Sequence, residues 1–281
     1  MDEHIRSRFH KDRLFKIIII VLASFSTVPL LLILLYIIRQ GITAINWNFF
    51  INLPKPVGEK GGGIINALIG SGIIISVASL IAIPFGAMVG LYLSEFGSRK
   101  LAYWVGLCVD VLQGIPSIVL GIIIYLWIVK PLGHFSALSG SIALAIMMLP
   151  PIIKSTEETL KLIPSTFKEA SLSLGVPYYK TILKIIIPMG YGGILSGSIL
   201  SISRVAGETA PLLFTAFGNP FINTNILKPM SSLPLLIFNY ASSAYDEWHK
   251  LAWGASFVLI MMILFFNVVT KLLERRWKIQ F

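Results

Sequence analysis

The chain has 281 residues, 56% of them hydrophobic and 13% charged, with a mean hydropathy of +0.82 and a formal net charge of +10. A soluble domain of this size carries about 25% charged residues, so the composition excludes a soluble globular protein and points to an all-α integral membrane protein. The basic residues lie beside hydrophobic runs and not on a face interleaved with exposed aromatics, which argues against nucleic acid as a partner and makes the charge a matter of topology.

A bilayer-crossing helix needs about 20 predominantly apolar residues. Six segments are predicted to cross: 17–38, 64–93, 103–129, 137–154, 189–214 and 251–270. Residues 1–16 form a basic N-terminal segment. The run at 17–38 exceeds the roughly 7–15 apolar residues of a secretory signal and lacks a small-residue cleavage site, so it reads as a retained anchor helix. Residues 39–63, rich in Asn, Pro and Gly, form an outer loop with interfacial aromatics. Residues 64–270 make up the main transmembrane domain, spans two to six, with a cytoplasmic loop at 155–188; residues 271–281 are a tail.

With both termini cytoplasmic, the inner side receives 16 Lys and Arg residues and the outer side 6, with Arg204 inside a span. That bias sets an in-in topology of six spans. Between spans five and six, residues 215–250 include the apolar "PMSSLPLLIFNYA". Pro229, Pro234 and Asn239 argue against a seventh span and favour a short helix lying at the outer surface. The single cysteine, Cys108, excludes an intrachain disulfide and reads as a small buried apolar group. His4, His10, His134 and His249 are scattered, so no metal site is expected. No Gly-Lys dipeptide occurs, which rules out a nucleotide-binding P-loop; no cofactor is expected on this chain, and any ATP is used by a separate polypeptide.

In span three, "GLCVDVLQGIPS" places Asp110 one or two turns from the inner end, where it could line a path or make a helix-terminal hydrogen bond. Gln113 and Ser117 follow at i+3 and i+7 as weaker path candidates, and Gly114 and Pro116 are expected to shape a bend. Trp47, Trp104, Trp127, Trp248 and Trp253 mostly fall near span ends, where indoles anchor at the lipid boundary. "SEFGSRK" at 94–100 joins spans two and three inside; Glu95, Arg99 and Lys100 are either solvated or in contact with a partner.

The loop "KSTEETLKLIPSTFKEASLSLGVPYYKTILKIIIP" begins as a polar helix supported by Glu157, Glu158 and Lys161. Pro164 opens a second short helix that closes at Gly175. Phe167, Ala170, Ser171 and Leu174 recur on it at helical spacing and need a partner surface, either the protein's own helix ends or another chain. Gly175 permits a positive φ, and Pro177 extends the backbone at Val176. "EASLSLGVPYYKTILKIIIP" resembles the cytoplasmic signature of ATP-binding-cassette importer permeases. Glu169, Ala170, Gly175, Ile185 and Pro188 match it, while Ser171 and Ile187 depart from its Ala and Leu. The resemblance implies a type I ABC importer permease fold and a coupling helix, with Glu169, Ala170, Ser171 and Gly175 in it, that docks on an ATPase subunit.

Span five carries Arg204 and Glu208 in "SRVAGETAPLLFTAF". Counted from Met189, Arg204 lies about 22 Å along a helix and Glu208 about 6 Å farther. A lipid-facing Arg at mid-span costs about 2.5–3.5 kcal/mol on an insertion scale, so the pair is expected to face protein or a polar cavity. Gly193, Ser196, Gly197 and Ser201 allow close helix approach. At one-turn spacing Arg204 and Glu208 can bridge as a structural pair, or they form a functional site. Gly207 and Pro211 shape the helix beside them, Pro211 by leaving a carbonyl free.

That segment, with "PFGAMVGLYLSEF" and "QGIPSIVLG", is similar to the phosphate importer permeases of the PstA family. The resemblance implies import of inorganic phosphate across the inner membrane, with Arg204 and Glu208 in translocation. The partners it implies are a related PstC-like permease, two PstB-like ATPases and an external PstS-like phosphate-binding protein. An importer permease for another solute is the nearest alternative. A stand-alone transporter or channel, and still more an enzyme, fit less well: no nucleophile and base are spaced for catalysis.

Overall fold

The computed structural model describes residues 2–59 and 61–276, with side chains at 11–59 and 61–273. Its elements in chain order are α1 (Asp2–Ala44), α2 (Trp47–Ile51), α3 (Ile65–Phe96), α4 (Lys100–Gly114) and α5 (Ser117–Ile124). A π-helical turn at Tyr125–Val129 leads to α6 (Lys130–Leu132), followed by α7 (Ala137–Lys161), α8 (Ser165–Ser173) and α9 (Tyr178–Thr181). A second π turn at Ile182–Ile186 precedes α10 (Ile187–Val205), α11 (Ala210–Leu213), α12 (Leu233–Ala241) and α13 (Asp246–Arg276). The basic N-terminal segment continues into α1 as one helix, and the tail beyond residue 276 lies outside the described residues.

Among the described residues five helices are long and apolar enough to cross a bilayer, and α4 with Ser117–Leu132 forms a sixth candidate bent by 105°. The ends of that pair show that it crosses once. At one end Ala102 and Tyr103 share a cleft with Gly97 at the foot of α3 and with Glu157 and Lys161 at the foot of α7. Beyond the other end, Ser136 N–H donates to the Thr215 carbonyl at 3.0 Å and Ala137 N–H to that of Lys228 at 3.0 Å. These are outer-loop residues, as is Asn219, whose carbonyl accepts from Asn66 Nδ2 at 2.7 Å. The chain therefore changes sides between Lys100 and Ser136, which gives six crossings.

The centre of the bundle is α7: 61% of its most apolar window is buried, against none of α1's. Small residues let its neighbours approach closely. A β-carbon at Gly86 of α3 would stand 2.7 Å from Ile152 Cγ2, and one at Gly90 would stand 2.6 Å from Thr156 Cβ and 2.7 Å from the Ile153 carbonyl. On the opposite side Gly190, Gly193 and Gly197 of α10 fit against Leu160, Thr159 and Ser155. Ser155 Oγ donates to the Gly193 carbonyl at 3.0 Å, and Ser141 Oγ to that of Ile74 at 3.1 Å. Such interhelical bonds contribute about 0.6 kcal/mol each, so contact of apolar surface carries most of the seam.

Two expectations are corrected. The short helix expected at the outer surface within residues 215–250 is α12, but it does not lie there along its whole length: residues 231–236, which open it, are all buried and turn into the bundle. Leu233 N–H donates to Ser71 Oγ at 2.8 Å, and Gly70 leaves room for the Ser231 carbonyl. Proline spacing spoke against a seventh crossing but carried no sign of this partner on α3. Cys108 is exposed on α4 and not buried, because only one side of that peripheral helix has neighbours. Trp248, expected as an anchor, stacks on Tyr240 at 4.5 Å, while Trp253 meets Tyr36 edge-on at 5.2 Å and helps hold α1 on α13.

Gly90→Ala should cost about 1–3 kcal/mol through overpacking against α7, seen as a lower melting temperature of the purified protein in detergent. Gly72→Ala, where a β-carbon meets nothing within 4 Å, should leave it unchanged.

Candidate functional site

Two of the six crossings lose their helix at the same depth. The helix α4 ends at Gly114, where Ile115 (φ −73°, ψ 129°) and Pro116 (φ −58°, ψ 136°) run extended before α5 starts at Ser117. Proline disfavours helical geometry in the residue before it, which fixes the break. The helix α10 ends at Val205, and residues 206–209 turn through Gly207 N–H to the Arg204 carbonyl and Glu208 N–H to that of Val205. Both breaks meet the middle of α7, at Met147, Pro150 and Pro151, and there Arg204 lines a small cleft with Leu112, Gln113, Ile115 and Leu120. Non-helical backbone at membrane depth persists only inside protein or along a cavity. Arg204 occupies the last turn of α10, where the free carbonyls of a helix C-terminus favour a cation.

The turn at 206–209 corrects the expectation drawn from spacing. Four residues bring side chains together only on a continuous helix, and among the described residues no ion pair joins Arg204 to Glu208. Arg204 is exposed at the cleft of the single chain, and Glu208 is half-buried beyond the helix end. Pro211 interrupts nothing, because the helix has already ended. It sits in the first turn of α11, accepts from Thr215 Oγ1 at 2.7 Å, and faces Gly121 of α5. Gly207 lies inside the turn. Pro188 opens α10 just after the second π turn, where its missing N–H is accommodated.

Of the span-three candidates, Gln113 reaches the Arg204 cleft, and Ser117 starts α5 away from its lining. Asp110 is drawn to Lys154 Nζ at 2.9 Å. Lys154 had signalled only topology in the sequence; its proximity to Asp110, 44 positions away, left no local trace. Among the described residues no three His, Cys, Asp or Glu side chains come together as a metal site.

At the cytoplasmic end, α8 terminates as foreseen. Gly175 takes φ +77°, with its N–H bonded to the Leu172 carbonyl at 2.9 Å and that of Val176 to the Ser171 carbonyl at 3.3 Å. This is a Schellman closure with glycine at the left-handed position. Ser171 is the inward residue of the stripe, its Oγ 2.8 Å from Thr181 Oγ1. Glu169, Ala170 and Leu174 are exposed, Leu174 to 84%. Glu95, expected in a solvated or partner-facing loop, is only 8% exposed at its side chain and accepts from Lys168 Nζ at 2.5 Å and from Tyr178 Oη. The foot of α3 thus holds α8 through a pairing 73 positions apart.

The model of the binding-protein-dependent transport system inner membrane component family matches residues 82–279. The phosphate transport system permease protein PstA of Yersinia pestis is 37% identical over 272 residues, 96% of this chain and 92% of that one. The PstA of Xylella fastidiosa (strain 9a5c) is 40% identical over 245 residues, 86% of this chain and 85% of that one. Among solved structures, a chain of the inward-facing MetNI methionine ABC transporter superposes with a TM-score of 0.65 at 16% identity, covering 77% of this chain and 96% of that one. This last likeness concerns the fold alone: type I importer permease.

A β-branched residue in the left-handed region costs about 1–2 kcal/mol. Gly175→Val should therefore speed proteolytic cleavage between residues 174 and 178, whereas Gly175→Asn, whose side chain tolerates that region, should stay close to the parent.

Proposed function

The chain belongs to the PstA family of phosphate transport system permeases, and from that membership we infer that it carries inorganic phosphate from an external binding protein to the cytoplasm as the permease subunit of an ATP-driven importer. It is a multi-pass protein of the inner membrane and a transport component, with ATP hydrolysed by a partner ATPase. The complete assembly on this reading joins it to a PstC-like permease, two PstB-like ATPases and a PstS-like phosphate-binding protein.

The observation that carries the reading is the meeting of two interrupted crossings at Arg204. A guanidinium offers a planar fork of donors suited to phosphate oxygens, and here no carboxylate of the described residues neutralises it. Glu208 stands past the turn, placed to take the guanidinium only when residues 206–209 rearrange. That alternation keeps anion binding transient, which transport requires. The cleft opens on the exposed side of α4, so the path runs between this chain and its partner permease, whose donors complete it. At the inner end, exposed Ala170 of α8 and Leu174 just past its end face outward for the ATPase, and Glu95 passes their displacement to α3.

Reconstitution with partner permease, ATPases and binding protein in vesicles, followed by ATP-dependent phosphate uptake, tests the reading. Loss of charge-assisted hydrogen bonds is worth about 1.5–3 kcal/mol, so Arg204→Ala should lower uptake by roughly ten- to a hundredfold. Arg204→Lys should fall between; undiminished uptake there would remove the geometric part of the account, and undiminished uptake in Arg204→Ala all of it. Gly175→Pro cannot adopt φ +77° and should insert in the membrane yet fail to couple ATP hydrolysis to uptake.

A further inference from the structure

We propose that Lys154 is a second anion station, held by Asp110 while the path is empty and receiving the phosphate that leaves Arg204 for the cytoplasm. This rests on the reading of the Arg204 cleft as the path and extends it by one helical turn.

The registers of two helices carry the argument. On α7, Pro150 and Pro151 wall the Arg204 cleft, and Lys154 follows three and four residues later, on the same face and toward the cytoplasm. On α4, Gln113 lines that cleft, and Asp110 lies three residues nearer the cytoplasm, again on the same face. The two faces close on each other through the Asp110–Lys154 pair at 2.9 Å. Immediately inward they open into a second cleft, which Lys154 and Asp110 share with Tyr103, Glu157 and Lys161. Glu157 in turn holds Lys161 at 2.6 Å. From mid-membrane inward, the described residues thus present Arg204, then Lys154, then Lys161, the last two each matched with a carboxylate.

The chemistry suits passage more than capture. The Lys154 side chain is 32% exposed and that of Asp110 57%, so the pair is wet, and wet pairs are weakly held. An ammonium is a compact charge without the directional fork of a guanidinium, so it can take an oxyanion in any orientation and give it up again. One cation is a poor match for a phosphate dianion; two in succession allow the anion to be shared across the step. When it leaves, Asp110 reclaims Lys154 and the position returns to neutrality.

A plain structural role would have the pair clasp α4 to α7. A clasp is lost equally from either side, whereas an anion station depends on the cation alone. In the reconstituted complete importer, phosphate delivered per ATP hydrolysed should fall about tenfold in Lys154→Gln, as expected for loss of a charge-assisted contact. ATP hydrolysis stimulated by phosphate-loaded binding protein should persist in that variant. Asp110→Asn removes the counter-charge but keeps the cation, so it should lower delivery clearly less than Lys154→Gln does, by about twofold, the scale of a wet pair, and Lys154→Arg should keep most of the delivery. Should the unpaired Asp110 prevent assembly of Lys154→Gln, the double variant D110N/K154Q carries the same expectation of loss. Equal losses in Asp110→Asn and Lys154→Gln, or wild-type delivery in the double variant, overturn the station in favour of the clasp. A complex that takes up no phosphate with both residues intact overturns the cargo reading and the station with it, a result distinct because it precedes any substitution.

Discussion

Backbone amides and carbonyls in hydrocarbon have no water to turn to, and each one left unpartnered costs several kcal/mol. A membrane protein can therefore break a helix at mid-depth only where other protein groups, a cavity or a passing solute satisfy what the break exposes. This chain breaks two, at Ile115–Pro116 and at residues 206–209, and sets both against the Pro150–Pro151 turn of α7. The placement of Arg204 follows from the same constraint. A cation in the last turn of α10 lies beside the free carbonyls of its own helix, which makes a guanidinium at this depth tolerable without a carboxylate bound to it. The proposed translocation site is thus where the rule of continuous helices is suspended, and the small-residue seams around α7 are what hold the suspended pieces in register.

The cytoplasmic end is organised by different forces. Outside the hydrocarbon the chain can use charge, and it does so sparingly: Glu95 gathers Lys168 and Tyr178, while the Ser171–Thr181 contact fixes the inner face of α8. The Schellman closure at Gly175 then turns the backbone sharply toward α9. The result is a short helix fastened on one side and presenting Ala170 and Leu172 to solvent on the other, a shape that can receive a push and deliver it to α3 and α10.

Much of this was legible in sequence, for reasons that differ by feature. Hydropathy marked the six crossings because the bilayer demands long apolar runs, and Pro116 announced the bend because proline constrains its neighbour wherever it occurs. Gly175 was readable for the same reason: the closing geometry of a helix is local. Contacts that depend on the whole fold were not readable. The i+4 spacing of Arg204 and Glu208 suggested a bridge only on the assumption of an unbroken helix. Asp110 with Lys154, and Glu95 with Lys168, join positions far apart in the chain and leave no periodic trace. The burial of residues 231–236 likewise depends on Ser71 and Gly70, which nothing in "SSLPLL" announces, and the exposure of Cys108 on how few neighbours α4 has.

The glycine seams bear on which parts of the molecule can shift. Where α3 and α10 press on α7 with no clearance for even a methyl group, sliding or splaying would need wholesale repacking, so those three rods resist relative movement. The bent crossing has no comparable seam along its exposed side, and at its elbow only the 3.4 Å bond from the Ile115 N–H to the Leu112 carbonyl reaches back into α4. Three closely fitted rods thus stand as a frame, and the elbow is the part least tied to it.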